Sequence, residues 1–253
     1  MPDDTIMTMR HPSNQHSNMA KVGDVGAIYG EHAEDTSLLK FHLVNTEQTR
    51  NTANELINKM YSGRGYGSNH DIHTSPQRLT LAVSDHAKIL GTITVNLDSE
   101  VGIHSDENFK DQIDLYRSQG RKVCELIKFA FKPDIFGKQV GAALFHIAFI
   151  HIRYFHKCTD LFIEVSPKHC RLYERMLGFK QQGDKKLNLR VNNPSFLLRL
   201  DLHYAQEQIR HLAGSSNKCG NENSLYPYFF ALKEETEIKN KLSSLRHKSE
   251  CVA

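Results

Sequence analysis

The amino-acid sequence predicts an α+β (mixed α/β) domain, a mixed central sheet with helices on its faces. Three observations carry that expectation. Residues 121–148, RKVCELIKFAFKPDIFGKQVGAALFHIA, read as a core strand, a turn and a buried helix. Around this unit the hydrophobic pattern runs in the order strand, helix, hairpin, helix, strand, helix, strand, helix, strand. The chain of 253 residues is 39% hydrophobic, enough to bury a substantial core.

Residues 1–35 are polar, rich in Asn, His, Ser and Met and without periodicity, and are expected to form a disordered or loosely attached leader. The domain proper is expected over 36–204. It opens with a strand at 38–44, after which Asn45 or Thr46, backed by Glu47 and Gln48, suits the cap of a helix running to about residue 60. Gly63-Arg64-Gly65-Tyr66-Gly67 follows, a glycine-rich loop that no Gly-Lys-Ser/Thr extends into a nucleotide-binding P-loop. A mobile flap over a site and a plain flexible connection both fit it.

Strands at 79–83 and 89–97 pair as a hairpin through a turn at 84–87, with Gly91 where a bulge or close approach can sit. Phe109, Ile113 and Tyr116 give 107–118 helical spacing, and Gly120 can end that helix. The central strand spans 122–131, Pro133 and Gly137 punctuate, and the apolar run 140–152 makes a helix buried on most sides. A strand at 161–165, a short helix at 167–176, a turn at Gly178-Phe179 into another strand, and a strand at 196–202 complete the sheet. Residues 205–253 are expected to be a helical extension and polar tail, whose apolar knot at 226–232 docks on the domain.

No run approaches the ~18–20 apolar residues of a membrane span, and the N-terminus lacks a secretory signal pattern. A soluble, cytoplasmic protein is therefore expected. Cys124, Cys158, Cys170, Cys219 and Cys251 are odd in number with no C-x-x-C pair, which argues for reduced thiols and against a disulfide framework or structural zinc. His146, His151 and His156 recur at spacing five, around a helix and not along one face, so they read as surface or core histidines and no metal is expected. The net charge of +3 is uneven: residues 121–180 hold eleven Lys and Arg against five Asp and Glu, a net of +6 that leaves −3 elsewhere. A basic middle suits an acidic partner or phosphorylated cofactor, and equally a set of solvated helix faces. Without interleaved basic and aromatic residues, nucleic acid is not an expected partner.

At the start of the buried helix, Lys138-x-x-Gly141-x-Ala143 places a basic residue ahead of two residues with little or no side chain. Such a turn can bring a phosphate against backbone amides at a helix N-terminus. Small residues also serve close helix-to-sheet packing, and both readings stand.

This turn, the acid-bearing central strand and the distal Leu172-Tyr173-Glu174-Arg175-Met176-Leu177-Gly178-Phe179 together resemble the GNAT acyltransferase superfamily. Within it the chain is most similar to the bacterial long-chain N-acyl amino acid synthases. The similarity covers roughly residues 38–202, through Gly65-Tyr66, Gly91-Thr92, Leu97-Asp98, Gly102-Ile103, residues 115–121 (LYRSQGR), Cys124-Glu125 and Val165-Ser166-Pro167-Lys168-His169. Glu125-x-x-Lys128-Phe129 also resembles the acid, basic and aromatic pattern of acyl-homoserine-lactone synthases, with lysine where arginine is usual.

The resemblance implies a GNAT fold and acyl transfer from a thioester to an amine, without an acyl-enzyme. Such a reaction needs a neutral amine, a stabilised oxyanion and a protonated leaving thiol. Glu125 is the candidate general base, directly or through a water, and is otherwise an ordinary carboxylate paired with Lys128 or Arg121. Tyr173 matches the proton donor many of these enzymes place near the sulfur, and is otherwise a packing tyrosine. Backbone near Ile127, Lys128 and Phe129 is the candidate cradle for the thioester and pantetheine arm. Cys124, on the opposite side of the strand from Glu125, is not expected to act as a nucleophile.

No cofactor is expected to be permanently bound; the co-substrate is an acyl-phosphopantetheine thioester. Delivery by acyl carrier protein would engage Lys138, Lys168, Arg171 and Arg175, whereas acyl-CoA would use the 138–143 turn. A long acyl chain needs an apolar cleft, assigned here to Phe145, Phe149 and Leu172, and its lipid product implies contact with a membrane only through that product. The expected reaction joins a long-chain acyl group to the α-amine of an amino acid. A short-chain CoA-dependent N-acetyltransferase and a catalytically silent GNAT-like binding module are the alternatives.

Overall fold

A computed structural model of the protein describes residues 4–10, 38–67, 69–86, 88–132, 137–216 and 223–250. Its first element corrects the expectation of a structureless leader: Thr5–Arg10 is strand β1. It pairs antiparallel with β2 (Leu38–Leu43) and buries Ile6 against the main core. Methionine and threonine alternate around that one isoleucine, a pattern too weakly apolar to read as a strand until its partner is known. Residues 11–37, the rest of that segment, lie outside the described residues.

Helix α1 (Glu47–Ser62) starts at Thr46, whose hydroxyl accepts from the Thr49 N–H while the Thr49 hydroxyl accepts from the Thr46 N–H. This is a reciprocal cap, with threonine replacing the usual Glu or Gln. The hairpin β3 (Arg78–Asp85) and β4 (Lys88–Leu97) follows, then α2 (Asp106–Arg117), β5 (Val123–Phe131) and α3 (Lys138–Ile150), which continues into a π turn at His151–Phe155. Next come β6 (Asp160–Val165), α4 (Pro167–Leu177), β7 (Lys180–Asn188), β8 (Asn193–Asp201), α5 (Leu202–Leu212), a 3-10 turn at Tyr226–Tyr228 and α6 (Leu232–Glu250). Gly178 ends α4 in the left-handed region (φ 80°), and an added Cβ would meet Tyr204 at 2.5 Å.

The eight strands form one sheet in the order β1-β2-β3-β4-β5-β6-β8-β7. Every neighbouring pair is antiparallel except β5 and β6. Helix α3, apolar on almost all sides, covers one face together with the C-terminal segment; Cys124, Leu126, Leu161 and Leu198 pack there. Helices α1 and α2 cover the other face through two smaller clusters, built on Leu56 and Ile57 and on Phe109 and Ile113. Between those clusters the sheet is polar: Thr80, Thr92, Thr94, Asn96 and Glu125 are all buried.

Parallel pairing of β5 with β6 covers only Val123↔Asp160, Cys124↔Leu161 and Glu125↔Phe162. Beyond Glu125 the two strands part. On its other edge β5 carries a bulge, with Thr92 opposite Ala130 but Thr94 opposite Ile127. Lys128 takes φ 53° there and its carbonyl accepts from the Thr92 hydroxyl at 2.9 Å. Gly91 sits beside this point because an added Cβ would lie 2.2 Å from the Phe131 ring, the close approach its position suggested. No helix among the described residues is long and apolar enough to cross a membrane.

The C-terminal segment is latched to α3. His146 is fully buried, its Nδ1 accepts the Phe230 N–H at 3.0 Å, and its ring stacks on Phe229 and Phe230. With Nδ1 an acceptor, the ring is neutral, and burial lowers its pKa in agreement. The Tyr226 hydroxyl donates to the Leu177 carbonyl at 2.7 Å, so the apolar knot docks as the sequence suggested. Replacing His146 by Leu keeps apolar volume but leaves the buried Phe230 N–H without an acceptor, at a cost of about 1–3 kcal/mol. Thermal unfolding should show a lower Tm for His146→Leu, with faster amide exchange over residues 226–230. An unchanged Tm and exchange rate would mean that apolar packing alone holds the segment.

Candidate active site

The opening between β5 and β6 leads into a cavity of about 610 Å3. Its walls come from the second half of β5 (Glu125 to Phe129), from β6 and α4 (Ile163, Ser166, His169, Tyr173), from Tyr61 at the end of α1, and from Arg64, Tyr66, His70 and Asp71 beyond it. The β7–β8 hairpin closes it with Asn188, Arg190 and Ser195. The glycine-rich loop therefore borders the site through Arg64 and Tyr66, with Gly65 and Gly67 both at φ 79°.

Glu125 is 1% exposed. Its Oε2 accepts the His104 N–H at 2.8 Å and Asn96 Nδ2 at 3.5 Å; its Oε1 accepts the Ser105 N–H at 3.0 Å and the Ser105 hydroxyl. These donors belong to the turn entering α2, so the carboxylate caps that helix from the adjacent strand. Its partners are therefore not Lys128 or Arg121: Lys128 Nζ donates to the His70 carbonyl at 2.7 Å, and Arg121 pairs with Asp160. Burial raises the Glu125 carboxyl to about 7 against the opposing pull of those hydrogen bonds. Lys128 is lowered to about 8, first by burial and then by Arg78. His104 is lowered to about 4 by burial and by Arg190, Arg78 and Lys128, and so stays neutral.

Tyr173 turns into the same cavity from α4, its ring edge-on to Phe129 and Phe179 at 6.4 and 6.0 Å. Burial raises its hydroxyl well above the ordinary phenol range, so it stays protonated. Ile127, Lys128 and Phe129 line the opening directly. Glu125, Tyr173 and residues 127–129 are thus brought together.

The 138–143 turn is not brought to this cavity. Gly141 and Ala143 are buried in the packing of α3, and Lys138 is exposed with its Nζ 5.5 Å from the Tyr228 ring centre. Pro133 lies outside the described residues. Lys168, Arg171 and Arg175 are exposed and share one face of α4, with Leu172 beside them at 45% exposure. Leu172 therefore cannot belong to an internal apolar cleft. Phe145 and Phe149 do: with Leu126, Ala148, Leu177, Tyr226 and Phe229 they line a second, narrow apolar cavity, and Leu126 and Phe145 border both spaces. Cys124 is buried on the α3 face and its thiol donates to the Asp160 carbonyl, away from the cleft.

Arg78, His104 and Arg190 were not read from the sequence as site residues. The one available sign was the polar face of a central strand, Thr92, Thr94 and Asn96 alternating with apolar residues. A buried polar stripe at the middle of a sheet marks a face built around something other than packing.

A sheet that opens between two parallel strands, with a carboxyl, a tyrosine and the outward-turned strand in the gap, defines an N-acyltransferase of the GNAT fold. The model of the N-acyl amino acid synthase FeeM family matches residues 52–201, and the chain belongs to that family. Among solved structures, FeeM, an N-acyl amino acid synthase from uncultured soil microbes, is similar at 22% identity and a TM-score of 0.61, over 68% of this chain and 96% of that one. The acyl-homoserine-lactone synthase LasI matches at 13% identity and a TM-score of 0.46, over 66% of this chain and 91% of that one. An acyl-CoA N-acyltransferase from Pseudomonas aeruginosa matches at 13% and 0.45, over 64% and 98%. No curated protein sequence matches the chain.

The Glu125 assignment of charge is testable without turnover. The unfolded chain ionises this carboxyl near 4.5 and the folded protein near 7, so the native state holds an extra proton between those values. Its contribution to stability is therefore greatest below pH 4.5 and falls as pH rises to 7. Isotope-edited infrared spectroscopy should find a protonated carboxyl titrating near pH 7 that Glu125→Gln abolishes; a carboxylate already ionised at pH 5 would contradict this.

Proposed function

We propose that this enzyme joins a long-chain fatty acyl group, delivered as the thioester of acyl carrier protein, to the α-amine of an amino acid. The observation that carries the reading is the adjacency of two unlike spaces. A charge-lined cleft at Glu125 and a narrow apolar cavity beneath α3 share Leu126 and Phe145 as walls. The first suits a zwitterionic acceptor and the second a hydrocarbon chain entering as the cavity widens.

In this reading the thioester lies along the outward-turned part of β5, with the backbone of Ile127 to Phe129 against its carbonyl and pantetheine arm. The acceptor ammonium gives up one proton to solvent before attack, and Glu125, ionised from about pH 7 upward, takes the second from the nitrogen of the tetrahedral adduct, directly or through a water, and passes it to solvent. The neutral amine attacks the thioester carbon, the C–N bond forms and the C–S bond breaks. Tyr173 gives the leaving thiolate its proton and regains one from solvent. General-base and general-acid steps of this kind are each worth about 10²–10⁴ in rate.

The exposed row Lys168, Arg171 and Arg175 on α4, with Leu172 in its midst, is the docking surface assigned to an acidic carrier protein. Basic residues around one apolar anchor suit such a partner. CoA delivery remains the competing donor because Lys138 stands exposed at the first turn of α3, where backbone N–H groups can meet a phosphate.

Mass spectrometry of lipid extracts from bacteria expressing the chain tests the function. New N-acyl amino acids should accumulate, and Glu125→Gln, compared at equal folded level, should lower their formation by about 10²-fold or more. Well-folded protein that yields no such lipid would overturn the long-chain reading, and undiminished activity in the variant would remove Glu125 as base.

The donor is tested separately. The double variant Arg171→Glu, Arg175→Glu should raise KM for an acyl carrier protein thioester by about tenfold, with a weaker salt dependence than wild type. KM for the matching acyl-CoA should stay unchanged. Equal effects on both donors would contradict a carrier-protein surface on α4.

A further inference from the structure

Four cationic side chains line the cleft, and the structure treats them differently. Arg190 is compensated, its guanidinium reaching Glu164 at 3.0 Å and Glu107 at 3.2 Å. Arg64 is an exposed residue of the glycine-rich loop. Arg78 and Lys128 are half-buried, and neither forms a salt bridge among the described residues. Arg78 Nε donates to Asn96 Oδ1 at 3.2 Å, and its Nη2 donates to the neutral His104 ring at 3.0 Å. Lys128 Nζ donates to the His70 carbonyl at 2.7 Å. Asp71 acts on Lys128 only through space and is itself held by Asn58 at 3.4 Å.

Two half-buried cations that face one cavity and repel each other, with only neutral partners, are an arrangement an anion would relieve. Their place relative to Glu125 says which anion. Asn96 takes Arg78 on its oxygen and gives its amide to Glu125, while His104 takes Arg78 on its ring and gives its backbone N–H to Glu125. Two single-residue bridges therefore separate the cation from the carboxyl. A ligand with a carboxylate one carbon from an ammonium group spans such a pair, its amine at Glu125 and its carboxylate at Arg78 and Lys128.

We propose that Arg78 and Lys128 form the carboxylate subsite of the acceptor, so that the enzyme selects α-amino acids over amines and amino amides of the same side chain. This rests on the amino-acid-acylating reading above and adds which residues enforce it. Lys128 sits on the β5 bulge, so the same left-handed residue that turns the strand outward also aims its side chain across the cleft toward His70.

The test uses the purified full chain with dodecanoyl thioester as donor and two acceptor sets: leucine, leucinamide and isoamylamine, then phenylalanine, phenylalaninamide and phenethylamine. Wild type should favour the amino acid of a set by about 10²-fold in kcat/KM. Arg78→Gln and Lys128→Met should each lower that preference about tenfold or more, through acceptor KM, over and above any loss of rate common to all three acceptors of a set. Lys128→Arg should preserve it. Variants that slow all three acceptors equally, or a wild type indifferent to the carboxylate, would overturn the subsite.

A binding measurement keeps the two claims apart. By calorimetry, N-dodecanoyl-leucine and N-dodecanoyl-phenylalanine should bind wild type more tightly than their carboxamides, and Lys128→Met should erase the difference. Equal binding of acid and amide by wild type overturns the subsite whether or not any acceptor turns over. Absence of acylation with every acceptor would instead count against the proposed function.

Discussion

Everything in this site depends on three residues of parallel pairing. β5 and β6 are held together from Val123 to Glu125 and nowhere beyond, so the sheet is whole at one end and open at the other. The closed end is pinned by charge. Asp160, fully buried at the start of β6, receives Arg121 Nε from the approach to β5 and Arg199 Nε from β8, both at 2.5 Å, and Asp201 completes the group. A buried carboxylate left without such partners would cost about 3–5 kcal/mol, so the strands meet there with little freedom. At the open end the bulge at Lys128 turns β5 away from β6 while Thr92 holds the bulged carbonyl. A pin at one end and a bulge at the other make a wedge-shaped gap in an otherwise continuous sheet.

The gap has to be walled on both faces, and the two walls differ in chemistry. On the α3 side nearly every side chain of the helix is buried and apolar, so anything entering from that side is chosen for apolarity. The C-terminal segment reinforces this wall through Tyr226, Phe229 and Phe230, residues beyond the part of the chain that the family pattern covers, which dock on His146 of α3. On the α1 and α2 side the sheet presents threonines, Asn96 and Glu125, and the entry of α2 is tied to Glu125 itself. One strand thus carries a hydrocarbon-facing side at Leu126 and a polar side at Glu125, because successive residues of a strand alternate.

Most of this fold was legible because its signals are local. The alternation of strands and helices, Thr46 as a cap, the close approach at Gly91 and the left-handed stop at Gly178 are each written in a few adjacent residues. What was not legible depends on partners distant in sequence. β1 is a strand because β2 is there to pair with it. Glu125 looked like a carboxylate awaiting Lys128 or Arg121, yet it spends its hydrogen bonds on the turn into α2, some twenty residues upstream. Leu172 looked like part of an acyl cleft because leucine is apolar, but α4 turns it outward among Lys168, Arg171 and Arg175. Arg78 carried no mark at all, since only the fold sets it two bridges away from Glu125.

The position of Glu125 resolves a tension in the base assignment. A carboxylate bound by two backbone N–H groups and a hydroxyl would ordinarily be too acidic to take a proton from an ammonium group. A carboxyl buried in an apolar site would be too weak an acid to ionise. Here burial raises it and the donors of His104, Ser105 and Asn96 hold it back, and the balance falls at about 7. That is the range in which a group both exists as a base and has basicity to use. The same hydrogen bonds fix its orientation, so the structural tie of strand to helix and the proposed chemistry are one arrangement. The cost of burying the carboxyl is what would make it usable as the proposed base, and the helix entry keeps that cost from becoming prohibitive.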